Sequence, residues 1–435
     1  MKKKIGIIAC VTALVLSLAS CGGDTANDNS SENGGQTTLR VAWWGGQPRN
    51  EGTLAVIDMY KTANPGINFE TEYSMWDGYW DKMATQMAAK NLPDIMQQDY
   101  AYLGQWMKRN QLADLTDFTV DGTIDLTNIG ENFIGGNVGD GIYGISLGTN
   151  ALALAYNADA YKAANLEEPS VGYTWSQYLS DAAALKTAGF DADFLLRKDP
   201  KFVLEQRVRE LGKTFYSEDG TALGFDDVKL VEDFLTLQSD MIKNGYAVDK
   251  DIAYPVQNVE ESLLLAKKTW GEIMWSNNFV PVNDLANEQG FGITLAMPPK
   301  MDGAEKSGVY LKPSMLFSIT ESSKNKEEAA KFISYFINDI EANKVLSGER
   351  GVPVSSAVRD ALKADLTDSN KKVYDYIDLV GENGTPIDPP EPEGSNEISS
   401  TLRDIFDEVV YETKTPADGA AEFMKKAGEI LSANK

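Results

Sequence analysis

Between Leu39 and Gln98 the apolar pattern changes period four times, and that alternation constrains the architecture more than any other feature of the chain. Leu39-Arg40-Val41-Ala42-Trp43-Trp44 reads as a buried strand, broken by Gly45-Gly46. Glu51 to Ala63 reads as a helix stopped by Asn64 and Pro65. Residues 67–73 alternate with period two, as a half-buried strand does. Trp80, Met83, Ala84, Met87 and Ala88 return to helical spacing, with Asp77 as the predicted N-cap. Residues 94–98 form a third strand, ending at Asp99. Strand, helix, strand, helix, strand predicts a parallel α/β layer.

Further on, Gly141 to Gly148 leads into Leu152-Ala153-Leu154-Ala155-Tyr156-Asn157. This reads as one long strand that leaves the first domain through a hinge at Gly148 to Ala151. Residues 158–297 read as largely helical, with helices at 174–188, 226–243 and 257–268 and strands at 269–275 and 291–297. Residues 315–320 add a strand. Ala329, Ala330, Phe332, Ile333, Phe336 and Ile337 then make one apolar helical stripe behind Glu327 and Glu328. Residues 381–396 hold four prolines and three glycines and read as a loop. Helices follow at 397–412 and 417–432, the second opened by Thr415 and Pro416 as N-cap and N1.

Residues 1–20 combine Lys2, Lys3 and Lys4 with an apolar run from Ile5 to Leu18, then Ala19 and Ser20 before Cys21. This is a secretory signal, with an h-region too short to span a bilayer. Leu18-Ala19-Ser20-Cys21 also resembles a bacterial lipobox, which implies acylation of Cys21; an ordinary cleaved signal with a chance cysteine is the alternative. Residues 22–38 contain one apolar side chain, Ala26, and read with Cys21 as a flexible tether spanning about 20–25 Å.

Removing the first 20 residues takes away three lysines and no acids, so the formal charge of −25 becomes −28. That balance excludes nucleic acid as a partner and leaves membrane attachment to the lipid. Cys10 falls in the signal and Cys21 carries the lipid, so no disulfide framework is available, and the chain has no histidine. Ser-His-Asp triads, Cys-His pairs and imidazole-based zinc sites are therefore excluded. An EF-type calcium loop at 117–128 fails, because Thr119 stands at position three and Asn128 where a bidentate Glu is required. No metal or cofactor is expected.

A set of motifs in a fixed order then points to a family. Residues 38–49 (Thr-Leu-Arg-Val-Ala-Trp-Trp-Gly-Gly-Gln-Pro-Arg), Asn91-Leu92-Pro93-Asp94 leading to Asp99, Leu154-Ala155-Tyr156-Asn157, residues 312–319 (Lys-Pro-Ser-Met-Leu-Phe-Ser-Ile), residues 327–332 (Glu-Glu-Ala-Ala-Lys-Phe) and residues 348–353 (Gly-Glu-Arg-Gly-Val-Pro) resemble the family 1 extracellular solute-binding proteins of carbohydrate ABC importers. The combination of the first and last of these is most similar to the branch handling pectic, rhamnogalacturonan-type oligosaccharides. The resemblance implies an α/β, two-lobed periplasmic-binding-protein-like fold with crossover hinge strands and a ligand cleft between the lobes. On this chain it puts lobe one at 36–148 plus 298–320 and lobe two at 149–297 plus 321–435. It also implies hinge closure on an oligosaccharide, no catalysis, delivery to two permease subunits, a monomer, and a lipid-anchored position on the outer face of the cell membrane.

In open α/β layers ligands sit beyond the carboxyl ends of the strands. Trp43 and Trp44 end the first strand and point to opposite faces, so one is expected on the ligand and the other in the core. Trp275 and Asn277 follow a lobe-two strand and offer stacking plus an amide. Trp80 belongs to the apolar stripe, which leaves Trp76 and Tyr79 as the ligand candidates of that helix. Asp99 can accept two sugar hydroxyls. Arg49, Lys312 and Arg350, within the matched motifs, are the candidates for a uronate carboxylate. The rival reading is a lipid-anchored glycosidase or polysaccharide lyase with paired carboxylates, which 65 acidic residues leave open.

Overall fold

Leu39, Val41, Ala42 and Trp43 of β1 (Thr37–Trp44) have no exposed surface, so both faces of the strand are covered, as a central parallel strand requires. The computed structural model describes residues 36–192, 200–248, 250–253, 255–256 and 261–433; the signal segment, Cys21 and the tether to residue 35 lie outside them. β2 (Ile67–Ser74) and β3 (Ile95–Gln98) pair with β1 in parallel, one on each side. α1 (Gln47–Ala63) and α2 (Trp76–Ala88) make the crossovers, and α3 (Tyr100–Lys108) follows β3. A short hairpin, β4 (Asn137–Val138) and β5 (Gly141–Ile142), precedes β6 (Ile145–Asn150). Only Ala151 separates β6 from β7 (Leu152–Asn157). β7 is the middle strand of an antiparallel sheet between β8 (Gly271–Trp275) and β9 (Ile293–Ala296). β10 (Lys312–Ile319) then returns to the first sheet, antiparallel to β3 and β6, giving the order β2-β1-β3-β10-β6.

Ala151 is fully buried at the crossing. Its N–H donates to Ser276 Oγ at 3.1 Å and its carbonyl accepts from Ser276 N at 2.8 Å. Beside it, Lys312 pairs with Asn150 in the β10–β6 ladder, and Thr149 exchanges backbone bonds with Val352. Three chain passages therefore meet within a few residues between the two sheets.

Several elements depart from the sequence reading. α1 begins at Gln47, with Pro48 in the first turn, where a missing N–H costs nothing. α2 begins at Trp76 behind Met75, so Asp77 lies in the first turn instead of capping it. Thr37 and Thr38, assigned to the tether, are strand. Residues 263–267 are turns, not α-helix, and 257–260 lie outside the described residues. The helix Lys326–Asn338 packs on the first sheet, with Phe332 5.2 Å from Tyr60 and 4.9 Å from Phe69. Only from the helix Asp368–Asn383 onward does the chain reach β9, and the helices Ser395–Val410 and Pro416–Ser432 pack on Val228–Lys243.

The proline-rich loop between Asn383 and Ser395 is held on both sides. Arg209 Nη1 lies 3.2 Å from Asp388 Oδ2, and Lys201 Nζ 2.7 Å from Glu391 Oε1. From α3, the Tyr100 hydroxyl donates to the Asp388 carbonyl at 2.5 Å.

Candidate functional site

The carboxyl ends of β1 and β3, the crossing strands and the end of β8 surround a cavity of about 970 Å³. Arg49 and Asp99 line it from the first sheet, Asn150 and Lys312 from the crossing, and Trp275, Ser276 and Asn277 from the second sheet. The loop Ser347–Val352 and residues 365–374 close the remaining wall. Six of the ten predicted ligand residues are thus brought together: Arg49, Asp99, Trp275, Asn277, Lys312 and Arg350.

Asp99 is held as the N-cap of α3, accepting the Ala101 N–H at 2.9 Å. Arg49 donates Nε to Glu349 Oε2 at 2.6 Å and Nη1 to the Trp44 carbonyl at 3.2 Å. Trp275 is half-buried, its ring edge-on to Phe202 at 5.2 Å. Lys312 Nζ lies 5.1 Å from the Trp275 ring centroid, and no carboxylate lies within ion-pair distance of it among the described residues. Asn277 is exposed beside Asn278.

Arg350 is 3 % exposed and also has no ion-pair partner among the described residues. Its Nε donates to Gln97 Oε1 at 3.3 Å and Nη2 to Thr53 Oγ1 at 2.8 Å, while Nη1 has no hydrogen-bond partner among the described residues. Burial, with Arg49 nearby, pushes its pKa down to about 9. Although the whole chain carries −25, the cavity wall sets Arg49, Lys312, Lys344 and Arg350 against Asp99, Glu349 and Asp365.

The remaining candidates are placed differently. Trp43 is core: its ring stacks on Tyr73 at 5.1 Å and its Nε1 donates to Asn50 Oδ1 at 2.8 Å. Trp44 is 7 % exposed beneath Trp76, Tyr79 and Trp80, so neither tryptophan of β1 presents a free face. Tyr79 is buried, its hydroxyl donating to the Gln97 carbonyl at 2.7 Å, whereas Trp80 is only half-buried. Tyr79 is therefore a core residue instead of a ligand candidate, while Trp80 packs partly buried against that core as its apolar stripe predicts, because the face of α2 that meets β1 is centred on Tyr79 and Met83. Trp76 is 38 % exposed but lies outside the cavity lining.

Sequence reasoning missed Asn150, Ser314, Asn370 and Tyr374 in the wall. Ser314, two residues from Lys312 in a quoted motif, and Asn150, within the predicted hinge, carried a local signal. Among the described residues, no group of three or more His, Cys, Asp or Glu is placed to hold a metal ion, and no helix is long and apolar enough to cross a membrane.

Comparison with known proteins identifies the family and the fold. The chain belongs to the bacterial extracellular solute-binding proteins, a family whose match runs over residues 55–372, and the family places it outside the cytoplasm. It is similar to a family 1 extracellular solute-binding protein of Alicyclobacillus acidocaldarius, at 29 % identity and a TM-score of 0.81, over 91 % of this chain and 98 % of that one. A periplasmic oligogalacturonide binding protein of Yersinia enterocolitica shares the fold, at 24 % identity and a TM-score of 0.79, over 91 % and 99 %. The diacetylchitobiose binding protein of Streptomyces coelicolor is 23 % identical over 454 residues, 99 % of this chain and 100 % of that protein. The fold is accordingly the mixed α/β, two-lobed arrangement of periplasmic binding proteins.

Proposed function

We propose that this protein captures an acidic oligosaccharide of pectic type in the cavity and delivers it, chemically unchanged, to an ABC importer with two permease subunits. The observation that carries the reading is the Trp275–Lys312 pair. An indole able to cover the C–H face of a sugar ring stands beside an ammonium with no carboxylate partner among the described residues. A uronate carboxylate would supply the missing counter-charge. The oligogalacturonide and diacetylchitobiose specificities of two relatives support a saccharide ligand.

In this reading Ala151 and the neighbouring passages at Asn150, Lys312 and Val352 form the hinge, and ligand touching both sheets favours the closed form. Lobe one comprises residues 36–150 with 312–352, and the second lobe the β8-β7-β9 sheet with its helices. Of the three carboxylates in the wall, Asp99 is engaged as a helix cap and Glu349 with Arg49, so that paired-carboxylate catalysis would have Asp365 without a second disengaged acid. Cys21, acylated, holds the monomer at the outer face of the membrane.

Calorimetric titration with oligomers of galacturonic acid, rhamnogalacturonan fragments, xylan fragments and N-acetylglucosamine tests the reading. A saturable one-to-one complex with an acidic member, and no new reducing ends on prolonged incubation, is expected. Failure of every saccharide to bind overturns it, and preference for a neutral one overturns the acidic assignment.

A further inference from the structure

The sheet edge that carries Arg49 and Asp99 into the cavity also carries exposed aromatic side chains outside its lining. In the order β2-β1-β3-β10-β6 the three parallel strands direct their carboxyl ends to one edge of the sheet. Asp99 follows β3 and lines the cavity; Arg49, whose Nη1 reaches the Trp44 carbonyl, does so beyond β1. Next along that edge, after β2, stand Met75 and Trp76, 68 % and 38 % exposed. Tyr102, one helical turn beyond Asp99, is 37 % exposed. The Tyr102 ring lies 4.4 Å from Trp80 and 6.1 Å from Trp76, while Trp76 meets Trp44 edge-on at 5.0 Å. These rings form an aromatic shelf, fixed from below, outside the cavity lining but at the sheet edge whose Arg49 and Asp99 line it. Large apolar groups gathered in the open mark a binding surface more often than chance exposure does.

We propose that this shelf is an outer saccharide subsite, on which Trp76 and Tyr102 stack against sugar rings that extend beyond the cavity, so that the protein favours chains longer than the cavity itself holds. The inference rests on the proposed function of the cavity and adds a length requirement to it. Pyranose C–H faces fit the electron-rich face of indole and phenol. The Tyr102 N–H donates to the carbonyl of the cavity residue Asp99 at 3.0 Å, and this adjacency favours the ligand's own chain over a separate partner.

The test titrates the wild type, Trp76→Ala and Tyr102→Ala with dimer-to-hexamer ladders of galacturonic acid, N-acetylglucosamine and xylose, with melting temperatures as the folding control. In the series that binds, wild-type affinity is expected to rise with length. Each substitution should cost about tenfold for the longer members and leave the dimer unchanged. Equal loss for dimer and hexamer would put Trp76 in the primary site and overturn the inference. So would unchanged affinity at every length, which would leave the shelf to a protein partner. Binding that is saturable but independent of length sinks the outer subsite alone, and no binding in any series sinks the proposed function with it.

Discussion

Arg350 donates Nη2 to Thr53 Oγ1 at 2.8 Å across 297 residues of chain, and so ties the loop beside the crossing strands to the start of α1. The Thr53 hydroxyl in turn donates to the Arg49 carbonyl at 2.6 Å. On the other side Arg350 Nε donates to Gln97 Oε1, while Gln97 Nε2 donates to the Trp44 carbonyl at 3.1 Å. A planar fork reaches both acceptors from one buried position; a lysine ammonium cannot. Arg350→Lys is therefore expected to destabilise the fold by about 2 kcal/mol, as one buried acceptor goes unsatisfied. Urea unfolding measures this, and an unchanged midpoint would show that the network is not a fastening.

Lys312 and Trp275 make a different kind of pair, because they belong to different sheets and meet at the cavity. If Lys312 holds a carboxylate, Lys312→Met should weaken acidic oligosaccharides about tenfold or more and flatten the salt dependence of binding. Neutral oligosaccharides that bind at all should be little affected. Trp275→Ala should instead reduce both classes. Calorimetry at two ionic strengths separates the outcomes.

Gly148 sits where β6 approaches the loop at Arg350, and a Cβ there would collide with the Arg350 carbonyl oxygen. The Ser314 hydroxyl also donates to the Gly148 carbonyl at 2.9 Å and to the Arg350 carbonyl. Gly148→Ala must push this loop away, at a cost of about 1–3 kcal/mol from overpacking. Gly66→Ala, with nothing within 4 Å of its added carbon, is the control. Thermal unfolding should show a lower melting temperature for the first variant and little change for the second.

How much of this could be read from the chain follows from what decides each feature. β1, β2 and β3 were legible because the apolar period itself switches along residues 39–98. The helix Pro416–Ser432 was legible too, since Thr415 accepts the Asp418 N–H and Pro416 occupies the first turn. The burial of Tyr79, expected on the ligand, was not. Residues 76, 79 and 80 lie on adjoining helical faces, and only the position of β1 against α2 decides which is covered. The run Leu263-Leu264-Leu265 is buried yet lies in turns, a case where apolar composition reports burial without reporting the backbone. Within the site, residues beside motifs were found, whereas Asn370 and Tyr374 enter the wall through packing between distant segments.

Alkaline pH should unfold the protein through its buried tyrosines. Burial raises the phenol pKa of Tyr79, Tyr100, Tyr161, Tyr173, Tyr310 and Tyr376, and pushes that of Tyr374 up to about 12. Tyr100 also lies against Asp388, whose negative charge acts in the same direction. An unfolded phenol releases its proton near about 10, so above that pH the unfolded chain gains a freedom that the folded one lacks. The stabilising contribution is thus complete below about pH 10 and falls as pH rises toward the folded values. Arg350 works the other way. With its folded pKa near 9, it makes stability rise as pH passes from there toward the usual guanidinium range, but it is one group against several. Melting temperature should therefore drop steeply above about pH 10, with tyrosinate absorbance at 295 nm developing in two stages. The exposed phenols titrate first, and the buried ones only together with loss of the circular dichroism signal. If all 18 tyrosines titrate before any secondary structure is lost, the hydroxyls of Tyr79 and Tyr100 are not sealed in the core as this structure requires.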